Sequence, residues 1–129
     1  MHEPIELLIA DPRRAMRGAL RAALELEDGI RVAGEAGDML AALRVAAEAP
    51  ITVAILDSRL AELQSPLALD ALRTLARRVP VVVMGIGEPE LYAAPYVEAS
   101  ARGYWAKDGD LAALVGLLRA AADRERPAA

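Results

Sequence analysis

The chain has 129 residues, 55% of them hydrophobic and 26% charged, which is typical of one compact domain and too short for two. It has no cysteine and a single histidine, His2, which excludes disulfides and thiol catalysis and argues against histidine-based metal clusters and catalytic triads. The net charge of −4 argues against direct nucleic-acid contact by this domain. With no apolar run of about 18 residues and no signal-peptide pattern, we expect a cytoplasmic location and no membrane contact.

Apolar periodicity predicts alternating strands and helices along the chain. The first half contains predicted strands at 5–10, 30–36 and 51–56, helices at 15–26 and 38–49, and a loop at 58–66. The second half contains predicted helices at 67–78, 89–101 and from about 111, and strands at 79–84 and 103–106. Pro95 should kink or shorten the helix at 89–101, and Asp108 or Asp110 should cap the last helix.

The predicted strands are continuously apolar, which indicates that helices cover both faces of the sheet. Five such strands alternating with five helices predict a doubly wound, parallel α/β sheet. We expect one domain over residues 1–123. The polar residues 124–129 are expected to form a flexible tail or the start of a linker to an effector domain.

Charged residues follow the first, third and fifth predicted strands. These are Asp11, Asp57 and Lys107, at the edge where doubly wound sheets place their chemistry. If the strand order is 2-1-3-4-5, the two aspartates face each other and Lys107 approaches from the side. Facing carboxylates suit Mg²⁺, and a nearby lysine can stabilise a phosphorylated carboxylate. Lys107 is the only lysine beside 14 arginines, so a purely solvated role is disfavoured, because arginine would serve that role equally well.

Several stretches in the same order resemble one known family. The most telling are Leu8-Ile9-Ala10-Asp11, Ala54-Ile55-Leu56-Asp57-Ser58-Arg59 and Gly103-Tyr104-Trp105-Ala106-Lys107-Asp108. In them the chain resembles the CheY-like receiver domain of two-component response regulators, in particular the subset that precedes a LuxR-type helix-turn-helix domain. The resemblance covers nearly the whole chain and implies a flavodoxin-like sheet of order 2-1-3-4-5.

The resemblance also implies residue roles. Asp57 falls at the phosphoacceptor position, Asp11 at the first of the family's two acidic residues, and Lys107 at its phosphate-binding lysine. Tyr104 falls at the aromatic switch position. The implied Mg²⁺ ligands are Asp11, Asp57 and the backbone carbonyl of Arg59, and Mg²⁺ is expected only if Asp57 is a working phosphoacceptor.

The sequence departs from the family pattern at several of these positions. Pro12 stands where the family has its second acidic residue, and proline supplies neither a carboxylate nor a backbone N–H. Gly85 stands in the phosphate pocket where the family has a hydroxyl side chain. Leu60-Ala61 replaces the usual Met-Pro, and Ala68 a usual glycine. The metal site is therefore expected to be weak or lost.

These departures favour an atypical receiver that regulates transcription without aspartyl phosphorylation. Two alternatives remain open: a conventional Mg²⁺-dependent phosphoacceptor switched at Asp57, and a pseudo-receiver that binds a small molecule in the altered pocket. An enzyme is disfavoured, because the chain has no dinucleotide-binding or Walker motif.

The resemblance implies a homodimer, an attached or separate DNA-binding effector, and a sensor histidine kinase as a possible partner. Candidate contact residues are Tyr92, Tyr96, Trp105 and the apolar stripe of the last helix. Tyr104 and Trp105 are adjacent on a strand and should point to opposite faces, one buried and one exposed. Arginines 13, 14, 17 and 21 are interpreted as a solvated basic helical face.

Overall fold

The computed structural model describes residues 4–123, apart from the side chains of residues 62–64. Both His2 and the predicted tail at 124–129 lie outside the described residues. The strands are β1 (Ile5–Ala10), β2 (Ile30–Ala36), β3 (Val53–Asp57), β4 (Val81–Gly85) and β5 (Gly103–Ala106). The helices are α1 (Arg14–Leu24), α2 (Met39–Glu48), α3 (Pro66–Arg78), α4 (Pro89–Tyr92), α5 (Ala94–Glu98) and α6 (Leu111–Asp123). None of the helices in the described part of the chain could span a membrane.

All strand pairs are parallel, and the sheet order is β2-β1-β3-β4-β5. The predicted fold class and strand order are therefore confirmed. Because the chain leaves β1 toward β2 on one side and returns to β3 on the other, a crevice opens beyond the carboxyl ends of β1 and β3. That crevice holds the candidate site.

Alternate residues of each strand enter two separate cores. Leu8 and Leu56 belong to the core on the α2–α3 side of the sheet, whereas Leu7 and Ile55 belong to the core on the α1–α6 side. This alternation explains why the strands are continuously apolar in sequence, because neither face is left to solvent.

The predicted break at Pro95 is confirmed, whereas the segment after β3 differs from prediction. The segment at 89–101 forms two short helices that meet at Ala93, because Pro95 lies in the first turn of α5 and cannot continue the preceding helix. The predicted loop at 58–66 contains a 3-10 helix, Ser58–Gln64. As expected, Asp110 caps α6: its Oδ1 accepts a hydrogen bond from the Ala113 N–H at 2.7 Å.

Helix α3 offers a test of the core assignment. Leu72 is fully buried and Leu67 is 80% exposed. We expect Leu72→Ala to lower the free energy of unfolding by about 2–5 kcal/mol, through lost burial and a residual cavity. Leu67→Ala should change it by no more than about 0.5 kcal/mol. Urea unfolding followed by circular dichroism measures both, and equal losses would contradict the orientation of α3.

Candidate functional site

Two aspartates meet at the crevice beyond β1 and β3. Ala10 is paired with Leu56 across the two strands, so the residues that follow them, Asp11 and Asp57, are neighbours. Both aspartates are 0% exposed. Burying two carboxylates together is costly unless cations or hydrogen-bond donors compensate their charge. The contacts of these four oxygens therefore determine what the site can do.

Lys107 supplies the first compensating charge. Its backbone N–H donates to the carbonyl of Gly85 at 2.9 Å, which continues the β4–β5 pairing and fixes the start of the side chain. The Lys107 ammonium donates a hydrogen bond to Asp57 Oδ2 and lies 3.8 Å from Asp11 Oδ2. Only 13% of the side chain is exposed. The structure thus brings Asp11, Asp57 and Lys107 into one cluster.

The other oxygen of Asp57 is bound by the backbone. Asp57 Oδ1 accepts a hydrogen bond from the Arg59 N–H at 2.7 Å, which closes the turn after β3. Both oxygens of the Asp57 carboxylate are therefore engaged within the chain.

Arg13 is the site residue that the sequence interpretation missed. Its Nε lies 3.4 Å from Asp11 Oδ1 and its Nη2 lies 3.8 Å from Asp57 Oδ2, so one guanidinium contacts both carboxylates. The local cause is a turn in which Asp11 Oδ1 also accepts the Arg13 backbone N–H at 2.7 Å. The spacing Asp11-Pro12-Arg13 was the available signal, because that turn directs residue 13 back over the carboxylate.

Arg17 and Arg21 make polar contacts beside the site. Arg17 Nη1 donates to the backbone carbonyl of Asp11 at 2.8 Å, and its Nε donates to Glu35 at 3.1 Å. Arg21 binds the same Glu35 carboxylate at 2.8 Å. These contacts tie α1 to the ends of β1 and β2, beside the site. Arg13, Arg14 and Arg21 are exposed, as a solvated face predicts, although Arg13 and Arg21 also bind carboxylates. Only 17% of the Arg17 side chain is exposed, so the prediction was wrong for Arg17.

The electrostatic balance favours a charged Asp11. Burial by itself would raise the pKa of this carboxyl. Polar contacts with the Arg13 backbone, the Asp57 carboxyl and the Arg13 side chain, together with the charge of Lys107, outweigh burial and lower the pKa below its ordinary value. Asp11 Oδ2 is nevertheless buried with no hydrogen-bond partner among the described residues.

Gly85 and Tyr104 form the second part of the site. A Cβ atom at Gly85 would lie 2.6 Å from the Tyr104 hydroxyl, so the tyrosine uses the space that a side chain at position 85 would need. The Tyr104 ring is 8% exposed and stacks on Tyr96 with centroids 6.0 Å apart. Its hydroxyl lies 3.4 Å from the carbonyls of Ile86 and Gly87, to which it donates. Burial is the main reason that the pKa of Tyr104 is raised.

The prediction that one of Tyr104 and Trp105 is exposed was wrong. Tyr104 and Trp105 do point to opposite faces, but both are buried, because each faces one of the two cores. Trp105 donates its indole N–H to the Asp110 carbonyl at 3.0 Å. Tyr96 is also buried, so of the three aromatic contact candidates Tyr92 is the exposed one.

The apolar stripe of α6 is likewise used inside the molecule. Leu114, Val115 and Leu118 are buried against the sheet, and are therefore unavailable as a contact surface. The prediction that this stripe takes part in dimerisation was wrong.

The described residues do not fit the Mg²⁺ ion that the family resemblance implies. Pro12 removes a carboxylate, and no group of three or more candidate acidic or histidine ligands is found among the described residues. Mg²⁺ is normally held by carboxylates together with several waters. Here Asp11 and Asp57 already contact Lys107 and Arg13.

A small cavity of about 300 Å³ adjoins the cluster. Its lining residues are Arg13, Met16, Ile86, Gly87, Lys107 and Asp108. This volume is at the lower end of the range for small-molecule pockets.

Comparison with known proteins places this geometry in a family. The family described as response regulator receiver domain matches residues 7–119. The nitrate/nitrite response regulator protein NarP of Escherichia coli is 30% identical over 119 residues, which are 92% of this chain and 55% of NarP. The chain therefore spans about half the length of this curated relative.

Two solved structures show the same fold. One is a LuxR-family two-component response regulator from Aurantimonas, with a TM-score of 0.79, 23% identity, and coverage of 94% of this chain and 86% of that one. The other is the signal receiver domain of the response regulator NarL from Mycobacterium tuberculosis, with a TM-score of 0.77, 23% identity, and coverage of 95% and 98%. With the family match over most of its length, the chain belongs to the response regulator receiver domains of two-component signalling.

Proposed function

We propose that this chain is an atypical receiver domain that regulates transcription without phosphorylation of Asp57. Asp57 occupies the phosphoacceptor position, Asp11 and Lys107 complete the pocket, and Tyr104 occupies the switch position. The domain acts in the cytoplasm as a signalling module without catalytic activity. The similarity to NarP and to a LuxR-family regulator supports an attached or separate DNA-binding effector as its output.

The observation that carries this proposal is that the Asp57 carboxylate is buried and both of its oxygens are hydrogen-bonded within the chain. To accept a phosphoryl group, an oxygen of Asp57 must attack phosphorus, and a strong cation must stabilise the charge that develops on the transferred oxygens. Asp57 is 0% exposed, its Oδ1 is bound by the Arg59 N–H, and its Oδ2 is bound by the Lys107 ammonium. Neither oxygen is presented to a phosphodonor in this arrangement.

The position of Tyr104 supports the same conclusion. Gly85 has no hydroxyl group that could bind a phosphoryl oxygen, and its missing side chain leaves the space that Tyr104 fills. The ring is therefore buried while Asp57 is unmodified. We infer that the surface over β4 and β5 is fixed by packing and does not depend on a phosphate.

A homodimer or an effector contact is proposed on the β4–α4 side. Ile86, Leu91 and Tyr92 are 72%, 70% and 47% exposed within seven consecutive residues. Exposed apolar residues grouped in this way are typical of contact surfaces.

Phosphorylation itself is the direct test. We expect no stoichiometric phosphoryl adduct by intact mass when the chain is incubated with acetyl phosphate, with or without Mg²⁺. The reason is that both Asp57 oxygens are bound and the metal site lacks a carboxylate. A Mg²⁺-dependent adduct that disappears in Asp57→Asn would overturn the proposal and support the conventional phosphoacceptor.

A second prediction concerns the ion pair. We expect Lys107→Met to lower the free energy of unfolding by about 3–5 kcal/mol, because it leaves buried carboxylates short of a cation. Adding Asp57→Asn to that variant should restore much of the loss, with a coupling energy of about 0.5–3 kcal/mol in a double-mutant cycle.

The control for this cycle is an exposed pair. Arg73→Met removes the partner of Asp70 on α3, where the two side chains are 43% and 71% exposed. Solvent screening limits such a pair to about 0–1 kcal/mol. Chemical denaturation measures Lys107→Met, Asp57→Asn, their double variant and Arg73→Met. A Lys107→Met loss no larger than that of Arg73→Met would contradict a buried, compensating role for Lys107.

A third prediction concerns the tyrosine. We expect Gly85→Ala to displace the Tyr104 ring and to destabilise the fold by about 1–3 kcal/mol through overpacking. The displaced hydroxyl would lose its buried surroundings, so the raised pKa of Tyr104 should fall toward its ordinary value. Absorbance titration of the phenolate measures this pKa, with Tyr104→Phe assigning the transition.

Gly18→Ala is the matched control for the glycine change. A Cβ at Gly18, in the middle of α1, would meet no heavy atom within 4 Å. Replacing this helical glycine should stabilise the fold by roughly 0.5–1 kcal/mol. If both alanine variants had the same effect, Gly85 would not be making room for Tyr104.

A further inference from the structure

Two buried carboxylates in one pocket call for two positive charges. In proteins this role often falls to a divalent cation. In the described residues, Lys107 and Arg13 fill it: each contacts both Asp11 and Asp57. Two negative and two positive groups leave the cluster neutral, and a divalent cation entering it would meet two cationic side chains at short range.

The two cations differ in depth. Lys107 is the inner one, with 13% of its side chain exposed, and it binds Asp57 directly. Arg13 is the outer one, with 41% of its side chain exposed, and it lines the cavity beside Lys107. Any ion that approached the carboxylates through this cavity would pass the guanidinium of Arg13.

The backbone places Arg13 there. Arg13 occupies the N-cap position of α1, and its side chain makes no capping hydrogen bond to that helix. Its backbone N–H is held by Asp11 Oδ1 instead, and Pro12 contributes neither an N–H nor a carboxylate at the intervening position. The side chain is thereby directed over Asp11 and toward Asp57.

We infer that Arg13 takes the place of a divalent cation and suppresses a latent metal site made by Asp11 and Asp57. This inference deepens the proposed function and rests on it, since a pocket neutralised from within needs no metal to remain folded. Without Arg13, the Lys107 ammonium alone faces the two buried carboxylates. One of their oxygens, Asp11 Oδ2, already has no hydrogen-bond partner among the described residues. Although Pro12 leaves the pocket one carboxylate short, two carboxylates can then hold a hard cation with water as the remaining ligands.

The experiment is a magnesium titration of four folded proteins. The wild-type chain, Arg13→Ala, Arg13→Gln and Arg14→Ala are titrated with Mg²⁺ by calorimetry and by thermal unfolding, with sodium chloride at matched ionic strength as the salt control. Arg14 is the adjacent exposed arginine, so its variant removes the same charge next to the site. Arg13→Gln keeps a polar side chain in case Arg13→Ala does not fold, and circular dichroism checks each protein.

We expect both Arg13 variants to bind Mg²⁺ about tenfold or more tightly than the wild-type chain and the Arg14 variant, because a repelling charge next to the ion has been removed. Their unfolding midpoints should rise with Mg²⁺, since a ligand that binds the folded state stabilises it. The midpoints of the wild-type chain and of Arg14→Ala should not respond.

Three results would overturn the inference. They are an equal Mg²⁺ affinity in the wild-type chain and the Arg13 variants, a gain of the same size in Arg14→Ala, and a folded Arg13→Gln with no gain. None of them alters the phosphorylation result on the wild-type chain. Failure of the latent metal site is therefore distinguishable from failure of the proposed function, which the phosphoryl adduct on Asp57 decides.

Discussion

The candidate site depends on the burial of two like charges at the junction of β1 and β3. A doubly wound sheet brings the ends of these strands together, and residues at the start of the following loops share the crevice. In this chain both residues are fully buried aspartates. Their repulsion and desolvation must be offset locally, or the carboxyl edge of the sheet would open. The contacts of Lys107, Arg13 and the Arg59 N–H follow from that requirement.

The compensation extends beyond the pocket. Arg17 ties the Asp11 carbonyl to Glu35 at the end of β2, and Arg21 binds the same glutamate. On the other side, the Lys107 backbone N–H binds the carbonyl of Gly85, and Tyr104 closes over that glycine. The charged cluster is thus joined to α1, β2, β4 and β5. A substitution at either aspartate would therefore disturb packed and hydrogen-bonded neighbours on both sides of the sheet.

The sequence predicted the sheet well because its signals are periodic and local. Short stretches of chain are enough to predict the continuously apolar strands, the Asp110 cap and the Pro95 break, and the structure contains all three. Arg13 could not be identified in the same way, because its role depends on a turn geometry and on the distance to Asp57, 44 residues further along the chain. Periodicity placed it with Arg14 on a helical face, although it precedes the first residue of α1. The burial of both Tyr104 and Trp105 was missed for a similar reason, since pattern alone does not show that helices cover each face of the edge strand β5.

The identities of the two cations fit their positions. At position 107 the cation must enter a nearly closed space and reach one carboxylate oxygen, which a compact ammonium on a flexible stem does well. At position 13 it must touch two carboxylates from the partly exposed mouth of the pocket. A planar guanidinium does this by presenting Nε to Asp11 and Nη2 to Asp57. A chain with 14 arginines and a single lysine therefore uses each where its shape is required. The lysine binds Asp57 Oδ2 from inside the pocket, and the arginine contacts both carboxylates from its partly exposed mouth.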